Sequence, residues 1–355
     1  MSKVGVITDI HWGCRNDSAV FIDYLKQFYE EVFFPELQRR EIDTLLILGD
    51  TFDRRKYISF ITLDHAKRIF FDQLQARGIK CFVLTGNHDA PYKNSIKINS
   101  VRLLLREYDN VFIIDEPSEI EVYGSTICAI PWICADNAVD ALTLLESTKA
   151  TICVGHFEIT GFAMYRGTEC KEGLERGLFQ RFEMILSGHY HHRSSDHNIH
   201  YLGNPYEITW QDYNDPRGFH ILDLSTRTLE FIANPHKMFH KVHYDDQKYL
   251  TKDDLLNHDF TQYKGKYVKV VVHNKLNTLW FDMFIDHLEK ADAADIQVVD
   301  DHLYLNLEDD SEIISGAEDT LTTLTRHISS FSGSVDKPKL EQLLHSLYHE
   351  ALSLQ

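Results

Sequence analysis

The chain has 355 residues and a formal net charge of -18, from 36 Lys+Arg against 54 Asp+Glu, with 43% hydrophobic and 25% charged residues. That balance excludes a wholly disordered chain, a collagen-like fibre and a disulfide-stapled miniprotein, and no apolar run approaches the roughly 18 to 20 residues of a membrane span. Charge alone argues against a nucleic-acid partner, because phosphate would be repelled. The acidity is uneven, however: residues 281–320 hold thirteen acids and one base, so net -12 lies in forty residues near the C-terminus. The N-terminus MSKVGVITDIHWG lacks the regions of a signal peptide. The six cysteines form no CxxC pair and read as buried thiols of a reducing compartment. A cytoplasmic location is therefore expected, neither secreted nor in a membrane.

In chain order, KVGVIT (3–8) reads as a buried strand ending at Asp9. Residues 18–34 have helical apolar spacing, TLLILGD (44–50) is a second apolar strand, 62–77 a helix, and KCFVLTGNHD (80–89) opens with a third strand. Such alternation builds an α/β sheet covered by helices. Strand-like stretches follow at 111–114, 119–130, 151–155, 183–187, 199–202, 217–223 and 228–232. The whole predicts an α/β fold: a two-sheet β-sandwich flanked by helices. Residues 234–262 read as a connection. A small strand–helix–strand unit follows at 267–272, 278–290 and 296–307. An acidic loop (308–319), a helix (320–330) and a Gly/Ser/Pro break (331–339) precede a terminal helix. Leu340, Leu343, Leu344, Leu347 and Tyr348 share one face of it. Such a face is either core or a docking surface.

Five short motifs follow strands: Asp9-Ile10-His11, Gly49-Asp50-Thr51-Phe52-Asp53, Gly86-Asn87-His88-Asp89, Gly155-His156 and Gly188-His189-Tyr190-His191. Strand ends are where the loops of an α/β sheet gather. Asp-x-His and His-x-His put two donors two residues apart, so an extended backbone would aim both to one side. The donors are Asp, Asn and His without thiolate. That set suits two divalent ions, Mn2+ first, with Mg2+, Fe2+ or Zn2+ as alternatives. Two ions about 3.5–4 Å apart hold a bridging water, lower its pKa and clamp phosphoryl oxygens.

Taken together, the motifs resemble those of the calcineurin-like metallophosphoesterases. More narrowly, the chain resembles the SbcD-type DNA repair nucleases, counterparts of eukaryotic meiotic-recombination-eleven. Asp89 stands where many phosphatases carry Glu. Tyr201-Leu202-Gly203-Asn204-Pro205-Tyr206 is similar to the stretch that closes the nuclease domain, and Gly218-Phe219-His220-Ile221-Leu222-Asp223 to its next strand. Length and compactness are nearest the T-even-type phage recombination nuclease subunits. The resemblance is specific over about 1–232.

The resemblance implies a nuclease domain at 1–250, a small α+β capping domain at 251–310, and a linker with C-terminal partner-binding helices at 311–355. It implies that Asp9, His11 and His191 bind one metal, that Asn87, His156 and His189 bind the other, and that Asp50 bridges. His88 would protonate the leaving oxygen or stabilise the transition state. Asp89 would orient His88, and Asp53, where some relatives carry His, would support the metal ligands. Arg54, Arg55 and Lys56 are candidates for the DNA backbone, with a solvated loop as the plainer reading. The implied partners are DNA, an SbcC-type coiled-coil ABC ATPase on the terminal helix, and a second copy in a homodimer. The implied function is a Mn-dependent DNA exonuclease/endonuclease acting in double-strand break processing and recombination. The alternative is a metallophosphoesterase acting on small phosphodiesters or phosphoproteins, which would share the metal site.

Overall fold

The computed structural model describes residues 2–300 apart from 166, 167, 172, 249, 250, 252, 255 and 256, and beyond them Lys337, Lys339 and Leu340. Strands β1 (Lys3–Ile7), β2 (Thr44–Ile47), β3 (Lys80–Leu84) and β4 (Val111–Ile114) pair in parallel. Then come β5 (Ser118–Val122), β6 (Ser125–Ile130), β7 (Ile152–His156), a small hairpin of β8 (Ala163–Tyr165) and β9 (Thr168–Glu169), and β10 (Met184–Gly188). They are followed by β11 (Ser194–Asp196), β12 (Ile199–Tyr201), β13 (Gly218–Asp223) and β14 (Thr228–Ala233). The first six-stranded sheet runs β14-β13-β1-β2-β3-β4 and the second runs β11-β12-β10-β7-β6-β5.

The two sheets face each other. Alternate residues of β1 and β2 (Val4, Val6, Leu46) point into a core shared with Ile127, Ala129, Ile152, Val154 and Leu186 of the second sheet. The other side of the first sheet packs on two helical segments, 19–39 and 60–76, each with a π-helical turn in its middle. Their inward faces are rich in aromatics: Phe28, Tyr29, Phe33, Phe70 and Phe71 are fully buried. Each such side chain contributes about 1.5–3 kcal/mol by leaving water. The helix Ala138–Ser147, which the chain-order reading leaves out, buries Ala141 and Leu145 against the outer face of the second sheet. The expected α/β sandwich flanked by helices is the fold observed.

Residues 234–262 are not simply a connection. They contain β15 (Phe239–Asp245), which pairs in parallel with β16 (Tyr267–Asn274), itself parallel to β17 (Asp295–Asp300). The small unit is thus a three-stranded sheet whose first strand precedes residue 251. Val242, Tyr244, Val268, Val270 and Val272 pack against Phe281, Phe284 and Leu288 of the helix Thr278–Lys290. Residues 301–336, the acidic loop and its following helix included, lie outside the described residues, as do Leu343, Leu344, Leu347 and Tyr348. Leu340 is helical and half-buried.

Candidate metal centre

The five motifs converge where strands of both sheets end. Asp9, His11 and Asp50 have φ of 51°, 50° and 51°, and His189 has 86°. These left-handed conformations cost non-glycine residues energy and concentrate at functional sites. Asp9 and His11 therefore reach one place through a left-handed turn, not through the extended backbone expected from their spacing. The turn is held by backbone hydrogen bonds from Asp9 N to Gly49 O at 3.1 Å and from His11 N to Asp50 O at 3.0 Å. Gly86 is required by close approach, since a Cβ there would run into the Asp50 carboxylate and backbone. Asp9 also joins the sheets: both its oxygens accept from His189 N at 3.1 Å.

One cage gathers Asp50, Asn87, His156 and His189. The Asn87 side-chain oxygen lies 2.9 Å from His156 Nε2 and 3.0 Å from His189 Nδ1, and 3.3 Å from Asp50 Oδ2. His156 Nε2 is itself 3.3 Å from Asp50 Oδ2. The outer ring nitrogens are already spoken for. His156 Nδ1 donates to the Leu48 carbonyl at 2.7 Å, and His189 Nε2 donates to Glu158 Oε1 at 3.1 Å. Those bonds leave bare lone pairs at His156 Nε2 and His189 Nδ1. Four acceptor atoms then face one another, an arrangement that either an added proton or a cation satisfies.

The second cage is looser. His11 Nε2 lies 3.0 Å from His191 Nε2, and both are 4.0 Å from Asp9 Oδ1. Asp50 Oδ2 is 3.8 Å from His11 Nε2, so this carboxylate borders both cages. On the other side of the ring, His11 Nδ1 is 3.4 Å from Asp53 Oδ1. The electrostatics fit a cation in each place. Burial alone would depress His11 and His156, yet the surrounding carboxylates outweigh it and push both up to about 9. Burial would raise Asp50, yet the His156, His88 and His11 imidazoles hold it well below the carboxylate range. The oxygen and imidazole donors, without a thiolate, match hard or borderline divalent ions.

His88 lies beside the two cages, in a third group of possible donors with His11 and Asp53. Its Nδ1 donates to the Asp53 carbonyl at 2.6 Å, its backbone N donates to Asp50 Oδ1 at 2.8 Å, and its ring meets His11 edge-on at 4.9 Å. Burial lowers its pKa. Asp89 corrects an expectation. Its carboxylate turns inward and accepts from Gly86 N, Phe52 N, Thr51 N and Ser100 Oγ at 2.9–3.4 Å. It ties the loop after β2 to the loop after β3 and is fully buried, whereas His88 is oriented by the Asp53 carbonyl. Burial and the neighbouring Asp50 charge push Asp89 up to about 6.

The three basic residues differ. Arg54 donates to Asn16 and Tyr57 and stacks over the Tyr57 ring at 4.9 Å. Arg55 Nη2 reaches within 2.8 Å of the Asn87 amide nitrogen. Lys56 is exposed. Sequence reasoning missed three contributors. Glu158 steers His189, and its only signal is a place two residues beyond His156. Trp132 packs its ring 5.0 Å from that of His189. Buried Arg217 donates to the His191 carbonyl and Asn204, and pairs with Asp212 at 2.9 Å and Asp215 at 2.7 Å. It braces the loop that carries His191.

The chain is similar to known phosphoesterases. A family model described as calcineurin-like phosphoesterase matches residues 2–193. Exonuclease subunit 1 of Enterobacteria phage T4 is 31% identical over 355 residues, covering 98% of this chain and 99% of its own length. Putative phosphoesterase 244L of Invertebrate iridescent virus 6 is 27% identical over 220 residues, 60% of this chain and 73% of that protein.

Proposed function

The chain belongs to the calcineurin-like phosphoesterase family, a metal-dependent hydrolase family, and from that premise we propose that it is the nuclease subunit of a DNA-processing complex. The observation that carries this reading is the end-to-end similarity to a phage exonuclease subunit, which extends past the phosphoesterase domain through the small sheet unit. The reaction is hydrolysis of DNA phosphodiesters, exonucleolytic and endonucleolytic, with Mn2+ as the working ion, in break processing and recombination.

Asp9, His11, Asp50 and His191 would hold one divalent ion, and Asp50, Asn87, His156 and His189 the other. Bound there, the ions would supply positive charge for phosphoryl oxygens and acidity for a water. The protein's own groups do the rest. Glu158 and the Leu48 carbonyl fix the tautomers of His189 and His156. Asp53 holds two rings, through its carboxylate on His11 and its carbonyl on His88. With Nδ1 of His88 so engaged, Nε2 is the atom that carries a proton to the leaving oxygen or stabilises charge there. Arg54, Arg55 and Lys56 border the path of the DNA backbone.

The division at 1–250, 251–310 and 311–355 is proposed with its first boundary moved ahead of Phe239, because β15 belongs to the small sheet. The partners are a coiled-coil ATPase on the terminal helix and a second copy of this chain. Exposed Tyr57, Phe60, Ile61, Tyr92, Ile98 and Leu103, around the helices 60–76 and 100–105, support the latter. No helix among the described residues is long and apolar enough to cross a membrane, and all six cysteines are free and buried, which supports a site of action in the host cytoplasm. Labelled duplex DNA incubated with the purified protein and Mn2+ is expected to be degraded. No cleavage with or without the ATPase subunit, alongside turnover of a small phosphodiester, would contradict the reading.

A further inference from the structure

Resting on the metal-site reading above, we propose that Arg55 is a substrate-phosphate-binding residue whose release is coupled through the Asn87 amide to the occupancy of the neighbouring cation cage. Arg55 Nη2 lies 2.8 Å from the outward nitrogen of that amide, donor against donor. Turned over, the amide faces a donor with its oxygen and acceptors with its nitrogen. Its oxygen then accepts from Arg55, and its two N–H groups face three acceptors, His156 Nε2 at 2.9 Å, His189 Nδ1 at 3.0 Å and Asp50 Oδ2 at 3.3 Å. In that orientation the cage presents hydrogens and excludes a cation. In the other orientation the cage presents oxygen and imidazole lone pairs and admits one, and Arg55 loses its acceptor.

The two states are mutually exclusive, so Arg55 opposes cation binding in the absence of substrate. Once released, its guanidinium is a half-buried cation at the cage edge. A planar fork of N–H donors there fits two oxygens of a phosphoryl group. The two neighbouring bases do not compete for this role. Arg54 is held by Asn16, Asp17 and Tyr57, and Lys56 is exposed and lacks the fork. The ligand class is a phosphate ester oxygen pair, for which inorganic phosphate is the simplest probe. Linkage makes the effect reciprocal: phosphate capture of Arg55 favours the cation-competent amide.

The test is calorimetric titration of the full-length protein with Mn2+ alone, then of the Mn2+-loaded protein with inorganic phosphate. Arg55→Ala should bind one of its two ions several-fold more tightly than wild type. The same variant should bind phosphate roughly tenfold more weakly, the loss expected for a charge-assisted hydrogen bond. Arg55→Lys, which keeps the charge without the fork, should fall between the two proteins in both titrations. Opposite signs for the two ligands are the signature. Unchanged affinities would mean a solvated side chain, and weakening of both would mean a structural one; either overturns the proposal while wild type still binds two ions. Wild-type protein that binds fewer than two ions would overturn the metal-site reading and this inference with it.

Discussion

The two cages share Asp50 but are built to different tightness. Around Asn87, His156 and His189 the facing atoms lie 2.9–3.3 Å apart, and both imidazoles are fixed from behind by Leu48 O and Glu158. Around Asp9, His11 and His191 the spacing runs from 3.0 to 4.0 Å. There the His191 side chain is 31% exposed, and so is that of Asp53 behind His11. The difference teaches that donor identity alone does not set a site. The partner of the outer ring nitrogen decides how far the cage is formed before an ion arrives. The tighter cage should fill first, except that Arg55 opposes it. Each cage takes donors from both sheets, so bound ions would also join the two halves of the sandwich.

The largest effect should come from the shared residue. Asp50→Asn removes the bridging charge, so both ions should be lost and cleavage should fall about 10³-fold or more, read by metal analysis beside a DNA degradation assay. Retention of both ions would break the symmetry claimed for Asp50. His88→Ala should lower the cleavage rate by about 10²–10⁴-fold and leave both ions bound; loss of an ion in that variant would refute its place outside the cages. The outer partners then separate the cages. Glu158→Ala should weaken one ion by about 10–100-fold and Asp53→Ala the other. Calorimetry on the double variant should show both losses, and a shared target would merge the cages into one. A last effect, on stability rather than on the site, lies away from both cages. Burial, first of all, depresses His220 on β13 to about 3, well below its unfolded value. Its contribution is complete above pH 6.5 and is lost as pH falls from there toward 3, by up to about 1.4 kcal/mol per pH unit. Denaturant melts of His220→Phe should show a shallower acid slope over that window, with Mn2+ binding near neutral pH unchanged.

The donors of both cages were legible because each follows an apolar run and precedes a turn. What holds them was not. Glu158, the Leu48 carbonyl and Arg217 act through contacts between residues far apart in the chain, which no local pattern announces. The left-handed backbone at Asp9, His11, Asp50 and His189 carries no glycine signal, because long-range hydrogen bonds impose it. Asp89 looked like a reactive neighbour of His88, yet adjacent side chains diverge and its carboxylate staples two loops. Strand β15 escaped because its alternation is mixed: Phe239 and Lys241 share one side, His240 and Val242 the other. Its pairing is parallel and reaches across a gap of more than twenty residues. The net charge of -18 misled in a similar way. Asp9 and Asp50 are candidate ion ligands, and most of the excess acid lies in 281–320.

The bridging position of Asp50 is the central claim, and the electron paramagnetic resonance spectrum of the protein loaded with two equivalents of Mn2+ tests it most directly. Two ions sharing one carboxylate should give the multiline signal of an exchange-coupled pair, absent in Asp50→Asn. A six-line spectrum of isolated Mn2+ at full loading of the wild-type protein would contradict the account.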